Sequence, residues 1–243
     1  MEVHHHGHVH EQKKWKEYVF QFFMLFLAVF CGFLAEYQLE QIIERHREKE
    51  YIESFINDLK LDTAQIQLQI TNITNTKKGI DSLLFIAKDL TRIENARLFC
   101  YYYISYVPHS NLLIPNEGTM QQLKNAGGLR LIRNKGAVDS ILLYDSYNKG
   151  IVGQGERYRD NVVKALDATD FIIDWRIFDG TDPNSLLTLQ KIPLLNPTKE
   201  QLQYFINRII KQKGVSIIYQ RYLQDQFQRA ARILPFLQKE YGI

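Results

Sequence analysis

The sequence predicts a mainly α protein: one N-terminal transmembrane helix continues into a long helix, and a helical-bundle domain outside the membrane follows. Three observations predict this class. An apolar run of membrane-spanning length lies near the start, and apolar residues recur at helical spacing through most of the remainder. Capping residues and glycines mark the starts and ends of several of these stretches. The 243 residues, 45% of them hydrophobic, suffice for one ordinary domain plus an anchor.

The pattern divides the chain into four expected segments. These are a His-rich N-terminal tail at residues 1–17, a transmembrane helix at 18–38, a long coiled-coil-like helix at 39–78 and a helical domain at 79–243. The net charge is +3, with both signs interleaved and no basic block, so we expect no nucleic-acid partner. Cys31 falls inside the apolar run, and the two cysteines therefore do not indicate a disulfide framework.

The transmembrane helix is predicted from "YVFQFFMLFLAVFCGFLA", residues 18–35, in which Gln21 is the only strongly polar residue. About 18–20 such residues, at about 1.5 Å each, can cross the hydrocarbon core of a bilayer. Trp15, Tyr18 and Tyr37 lie where an aromatic belt would anchor the ends. Cleavage as a signal peptide after Ala35 would place a bulky phenylalanine at the −3 position, which argues against removal of the run.

Charge on the two sides of the span predicts its orientation. Three lysines lie immediately before the run, whereas three glutamates follow it before the first basic residue, Arg45. Basic residues next to a span favour the cytoplasmic side. We therefore expect a cytoplasmic N-terminus and a large domain outside the cytoplasm.

A face of small residues inside the span predicts helix association. Ala28, Gly32, Ala35 and Leu39 follow one another at steps of four, three and four, and small residues let membrane helices approach closely. Residues at the same position around the helix continue this face outward in heptads to Ile73, and we call this series the seam. The heptads are interrupted by one three-residue stammer around "RHREKE". No proline or glycine occurs in residues 34–78. This seam could pair with a second copy or pack within its own chain.

Beyond the seam, stops and caps predict the remaining helices. Lys77-Lys78-Gly79 resembles a helix end, Thr119 a helix cap, and Gly127-Gly128 a stop. The run "FCYYYISYVP" could be a helix end or a buried strand, and its aromatic residues are expected in the core.

The C-terminal half is predicted to hold three helices and one loop. A helical stretch runs from Ala137 to about Phe178, with a kink or loose loop at its three glycines (150, 153 and 155). A proline-rich loop follows at residues 179–197. Thr198 and Gln201 then form a capping box for a helix that stops at Gly214, and a last helix runs to about Tyr241, kinked or ended by its proline at 235.

The tail and the outer end of the span supply the candidate sites. His4, His5, His6, His8 and His10 offer enough imidazoles for a transition metal, with zinc, copper or nickel as the candidates. The tail could bind metal adventitiously, form a defined site, or serve only as a polar cap. Glu36 lies four residues after Gly32 and is a candidate ion site in an oligomer, although a glutamate at a membrane boundary can equally reach headgroup water.

Several segments together resemble a known group of proteins. "MEVHHH", "WKEY", "FLAVFCGFLAE", "EKEYIESFINDLKLDT" and "LKNAGGLRLIRNKGAVDSILLYDSY" are similar to an uncharacterised family of bacterial single-span membrane proteins with a Met-Glu-Val-His-His-His start, a domain of unknown function. The resemblance implies a bacterial membrane protein with one span and a helical remainder. Together with the orientation expected from charge, it leads us to expect an inner-membrane location with a periplasmic C-terminal domain. It also implies that the histidines and Glu36 are recurring features of the family.

No zinc-protease helix, nucleophile elbow, Walker loop or cysteine pair occurs in the sequence, so we expect a non-enzymatic protein. The leading hypothesis is a self-associating, membrane-anchored homo-oligomer that acts as a subunit or scaffold of a membrane complex, with other subunits as further partners. The alternative is a small oligomeric channel or metal-handling protein that uses the tail and Glu36. A further alternative is an extracytoplasmic ligand sensor that acts through a partner.

Overall fold

The computed structural model describes residues 15–110, 112–178, 182–191 and 193–243. It divides into two compact units, Met1–Glu50 and Tyr51–Ile243. The described residues are mainly α, as predicted, with no strand beyond an isolated bridge between Ile173 and Leu194. The α helices in these ranges are α1 (Trp15–Ile86), α2 (Ile93–Tyr106), α3 (Gly118–Asn125), α4 (Lys135–Asp167) and α5 (Lys199–Tyr241).

Helix α1 continues past its predicted end. The expectation that Gly79 stops the helix is wrong, because α1 runs on to Ile86. The glycine serves packing instead: a Cβ atom at this position would overlap Cβ and Cγ of Tyr106, the last residue of α2. Gly79 therefore lets α2 lie against α1.

Three apolar clusters follow one another along the second unit, and α1, α4 and α5 contribute to each. The first cluster contains Ile52, Phe55, Ile56, Leu59, Met120, Leu123, Ile132, Ala137, Ile141, Tyr144, Ala230, Ile233 and Leu237. The middle cluster contains Ile66, Ile73, Leu113, Ile151, Tyr158, Val162, Tyr219 and Leu223. The last cluster includes Ile80, Leu83, Ala87, Phe99, Cys100, Tyr103, Val107, Ala165, Ala168, Ile172, Ile173, Phe205 and Ile209.

The order of these clusters gives the topology. Going along the chain, α1 and α4 pass from the first cluster to the last, whereas α5 passes from the last to the first. Between α1 and α4 the chain returns in two pieces: α2 lies in the last cluster, residues 112–113 in the middle one, and α3 in the first. The second unit is thus an up-down-up-down bundle whose second element is broken into α2, an extended segment and α3.

The shorter elements confirm some predicted boundaries and correct others. The aromatic run at 99–108 belongs mostly to α2, and Phe99 and Tyr103 are buried as expected. The predicted stop after α3 is confirmed, since Gly127 has φ +69°. The predicted cap at Thr119 is wrong, because α3 begins at Gly118 with Glu117 as its N-cap.

Helices α4 and α5 are less interrupted than expected. A loose loop at Gly150, Gly153 and Gly155, one of the two predicted alternatives, is wrong, since all three lie inside α4. The helix ends at Asp167, not near Phe178. The predicted stop at Gly214 is also wrong, and α5 passes through both Gly214 and Pro235. The burial of side chains along α4 and α5 compensates the cost of placing a glycine inside a helix, which is about 1 kcal/mol.

Side-chain caps are present at the starts of α4 and α5. The predicted capping box is confirmed: the Thr198 side chain accepts a hydrogen bond from Gln201 N at 3.3 Å, and Gln201 Oε1 accepts one from Thr198 N at 2.8 Å. A second cap was not predicted. At the start of α4, Asn134 Oδ1 accepts a hydrogen bond from Ala137 N at 3.0 Å.

Candidate functional site

The predicted site residues lie in different parts of the chain. The five tail histidines, His4, His5, His6, His8 and His10, fall outside the described residues. Ala28, Gly32, Ala35 and Leu39 are exposed on α1, and Glu36 is exposed beside them. Among the described residues, no group of three or more histidine, cysteine, aspartate or glutamate side chains is placed to hold a metal ion.

The predicted span is a free apolar surface. It contains an 18-residue window long and apolar enough to cross a membrane, and no part of that window is buried in the structure. Among the described residues, no atom other than those of the two chain neighbours and the local helix backbone lies within 4 Å of the position that a Cβ on Gly32 would occupy. The exposed side chains of the span are therefore available for contact with lipid or with another helix.

The surface of the span has two different sides. Phe22, Phe26 and Phe30 stack in a ladder, with ring centroids 6.4 and 6.1 Å apart. A helix turns about 100° per residue, which places the centre of this ladder about 150° around the helix from the centre of the Ala28, Gly32 and Ala35 face. One side is thus bulky and aromatic, and the other has small side chains at Ala28, Gly32 and Ala35; we call this second side the flat face.

In the second unit, a polar layer separates the first cluster from the middle one. Asp62 on α1 is 1% exposed. Its Oδ1 accepts hydrogen bonds from Asn116 N and Nδ2, both at 2.8 Å, and its Oδ2 accepts one from the Tyr144 hydroxyl at 3.0 Å. The carboxylate therefore ties the extended segment before α3 to both α1 and α4.

Burial and charge shift the pKa values of Asp62 and Tyr144 in this layer. Burial raises the pKa of Asp62; the hydrogen bonds from Asn116 and Tyr144 oppose that shift, and the nearby Asp58 carboxylate adds to it. Burial, followed by the charge of Asp62, raises the pKa of Tyr144. The phenol therefore remains a proton donor to the carboxylate.

The first polar layer extends to α5 through Gln226, which is fully buried. Its Nε2 donates to Asn148 Oδ1 at 2.7 Å and to the Tyr144 carbonyl at 3.0 Å. Polar side chains at core positions of packed helices favour one register, because a shifted register would leave these groups unpaired.

A second polar layer separates the middle cluster from the last. Gln220 Oε1 accepts a hydrogen bond from Lys77 Nζ at 2.7 Å, and Gln220 Nε2 donates to Thr74 Oγ1 at 2.7 Å. Eight residues earlier on α5, Gln212 is fully buried and donates from Nε2 to the Val107 carbonyl at 2.7 Å. This layer joins α1, α5 and the end of α2.

The second unit also carries two surface grooves. One, of about 470 Å³, lies between residues 112–117 and α4, with Val152, Glu156 and Arg159 on the helix side. The other, of about 440 Å³, lies between residues 87–91 and residues 194–202. Both volumes fall in the range of small-molecule sites, so the sensor hypothesis would place its ligand in one of them.

Sequence reasoning missed the polar layers because it followed apolar residues. From Ile52 onward the predicted seam packs within the chain, but Thr63 and Ile70 are only half-buried, whereas their polar neighbours Asp62 and Gln69 are buried. A detectable signal existed in α5, where buried positions follow steps of four and three from Phe205 to Leu237 and include Gln212 and Gln226. Regular core spacing that includes glutamine indicates a polar layer.

Searches against protein-family models, curated proteins and solved structures find no match to this chain.

Proposed function

We propose that the chain is a non-enzymatic, membrane-anchored subunit that pairs with a second copy of itself through the transmembrane segment and thereby scaffolds a membrane complex. The observation that carries this proposal is the two-sided surface of the span: a flat face of small residues opposite a ladder of stacked phenylalanines. None of the described residues covers either side.

The flat face is the side suited to another helix. Lipid tails are as apolar as the phenylalanine ladder, so apolar character alone gives helices no reason to associate in a bilayer. Close approach of the two helix backbones does favour association, because it increases van der Waals contact between the helices. Gly32 has open space around it, and the flanking Ala28 and Ala35 add little bulk.

The second unit supports a scaffolding role. Its three apolar clusters and two polar layers are built from residues of the same chain, and α1 contributes to both units. The proposed location is the bacterial inner membrane, with the N-terminus in the cytoplasm and the second unit in the periplasm. In a Cys31→Ser background, a membrane-impermeant maleimide should label Lys60→Cys from the periplasmic side; protection until the membrane is broken would contradict this orientation.

The test of self-association is the mass of the full chain in mild detergent. We expect a defined dimer or higher oligomer for the native chain. Gly32→Ile should weaken association about tenfold or more, equivalent to about 1.4 kcal/mol, because a branched side chain keeps the backbones apart. Phe26→Ile, on the ladder side, is the matched control and should change the dissociation constant less than about threefold. A monomeric native chain, or equal effects of both substitutions, would contradict the proposal.

A further inference from the structure

A histidine and a glutamate lie one helical turn apart in the first unit, beyond the predicted span. His46 Nε2 and Glu50 Oε1 are 3.2 Å apart, and the two side chains are 75% and 62% exposed. Both groups are ligands that zinc and similar divalent metals accept. The pair is therefore accessible to an ion from solvent.

The separation of the two ligand atoms suits a tetrahedral metal. Zinc binds imidazole nitrogen and carboxylate oxygen at about 2.0–2.2 Å, so two ligands of a tetrahedral ion lie about 3.3–3.5 Å apart. The observed 3.2 Å is close to that edge length. The helix thus already holds the two atoms near the spacing that chelation needs.

The pair also lies in line with the proposed association face. Steps of seven residues lead from Gly32 to Leu39 and from Leu39 to His46, so the three share one heptad position. In a parallel pair of helices, equal core positions of the two copies face each other at the same level. The two His46 side chains would then meet, each with Glu50 one turn further along.

We propose that two copies of the chain together bind one divalent transition metal of the zinc type, with His46 and Glu50 of each copy as the four ligands. The inference rests on the proposed self-association, because one chain supplies only two of the four ligands that a structural zinc requires. Association brings the second pair to the first at high effective concentration, which turns two weak chelating pairs into one site.

Arg45 is the competing partner for Glu50. In the heptad set by Gly32, Leu39 and His46, Arg45 and Glu50 fall on the flanking positions that pair between parallel helices. An ion pair between copies would use Glu50 without any metal. Arg45→Ala therefore separates the two uses: it removes the ion pair and leaves all four metal ligands in place.

The experiment uses the full chain in mild detergent. The five tail histidines are changed to serine so that they do not contribute to the zinc that is measured. Bound zinc is measured after desalting, and the oligomer mass is measured with chelator and with zinc. We expect one zinc per two chains and a dimer dissociation constant at least about tenfold lower in zinc. His46→Ala and Glu50→Gln should abolish zinc retention, whereas Arg45→Ala and Glu50→His should keep it.

The outcomes separate this site from self-association itself. A dimer in chelator that retains no zinc, or retains it equally with His46→Ala, overturns the metal site and leaves self-association standing. A chain that is monomeric in chelator and in zinc overturns both. A chain that is monomeric in chelator but dimerises with zinc through His46 supports the metal site and contradicts association by the small-residue face alone.

Discussion

Asp62 and Tyr144 lie on different helices and share a buried hydrogen bond of 3.0 Å, with the phenol donating to the carboxylate. The residues are 1% and 2% exposed, so neither has water as an alternative partner. Breaking a buried polar pair by removing one member leaves the other without a partner, which costs about 1–3 kcal/mol. This bond is therefore a sensitive point for the stability of the bundle.

We expect Asp62→Ala and Tyr144→Phe each to lower the free energy of unfolding, by about 1–3 kcal/mol. In a double-mutant cycle the two should couple by about 1 kcal/mol or more, because both remove the same bond. Chemical denaturation of the full chain in detergent, followed by circular dichroism, provides the measurement. The exposed ion pair between Lys124 and Asp145 is the control, with a coupling of about 0–1 kcal/mol. Equal coupling in the two pairs would contradict the assignment.

The raised pKa of Asp62 predicts a pH dependence with a definite sign. A carboxyl whose pKa is higher in the folded state than in the unfolded state binds its proton more tightly when folded. Its stabilising contribution is therefore fully present below the unfolded pKa, about 3.9, and is lost as the pH rises through the folded value.

Asp62→Asn removes this titration while keeping an acceptor for Asn116. We expect the substitution to become progressively more favourable, relative to the native residue, as the pH rises from about 4 to 7. Unfolding curves of both proteins at several pH values give the difference directly. A constant difference would show that the folded state does not raise the pKa of Asp62.

Two kinds of helical glycine should respond in opposite directions to alanine. Gly79→Ala should destabilise the protein by about 1–3 kcal/mol, because the new methyl group overlaps Tyr106. Gly153→Ala and Gly214→Ala should each stabilise it by about 0.5–1 kcal/mol. Both lie inside helices, and in the described part of the chain nothing beyond the neighbouring residues and local helix backbone lies within 4 Å of the new Cβ. Thermal unfolding of the three variants tests this contrast, and a stabilising Gly79→Ala would refute the packing account.

The cap of α4 offers a local test. Asn134→Ala should cost about 1 kcal/mol, because the first turn of the helix loses the acceptor for Ala137 N. Asn134→Ser keeps a capping oxygen and should stay within a few tenths of a kcal/mol of the native chain. If both substitutions have the same effect, the hydrogen bond at 3.0 Å is not what stabilises this helix start.

The mainly α fold class could be predicted from sequence, because apolar spacing and an 18-residue apolar run depend only on local pattern. The capping box at Thr198 and Gln201 was predicted for the same reason: both partners lie within one turn. Helix ends were the weak point. Gly79 and Gly214 look like stops in the sequence, but contacts from α2 and burial along α5 decide their structure.

The candidate sites divide in the same way. The small-residue face and Glu36 could be named from spacing inside one helix. The polar layers could not, since Asp62 meets Asn116 and Tyr144 only after distant segments fold together. The His46–Glu50 pair is intermediate: its spacing of one helical turn is visible in the sequence, but the 3.2 Å distance between Nε2 and Oε1 depends on the side-chain conformations.

Cysteine cross-linking in native membranes tests the central claim most directly. In a Cys31→Ser background, Ala35→Cys lies on the small-residue face and Phe33→Cys lies on the ladder side, about 160° around the helix. The remaining native cysteine, Cys100, is buried and its pKa is raised to about 12, so it will not react in the folded protein. Self-association through this face predicts a disulfide-linked dimer for Ala35→Cys and little for Phe33→Cys. No dimer from Ala35→Cys, or equal cross-linking at both positions, would contradict it.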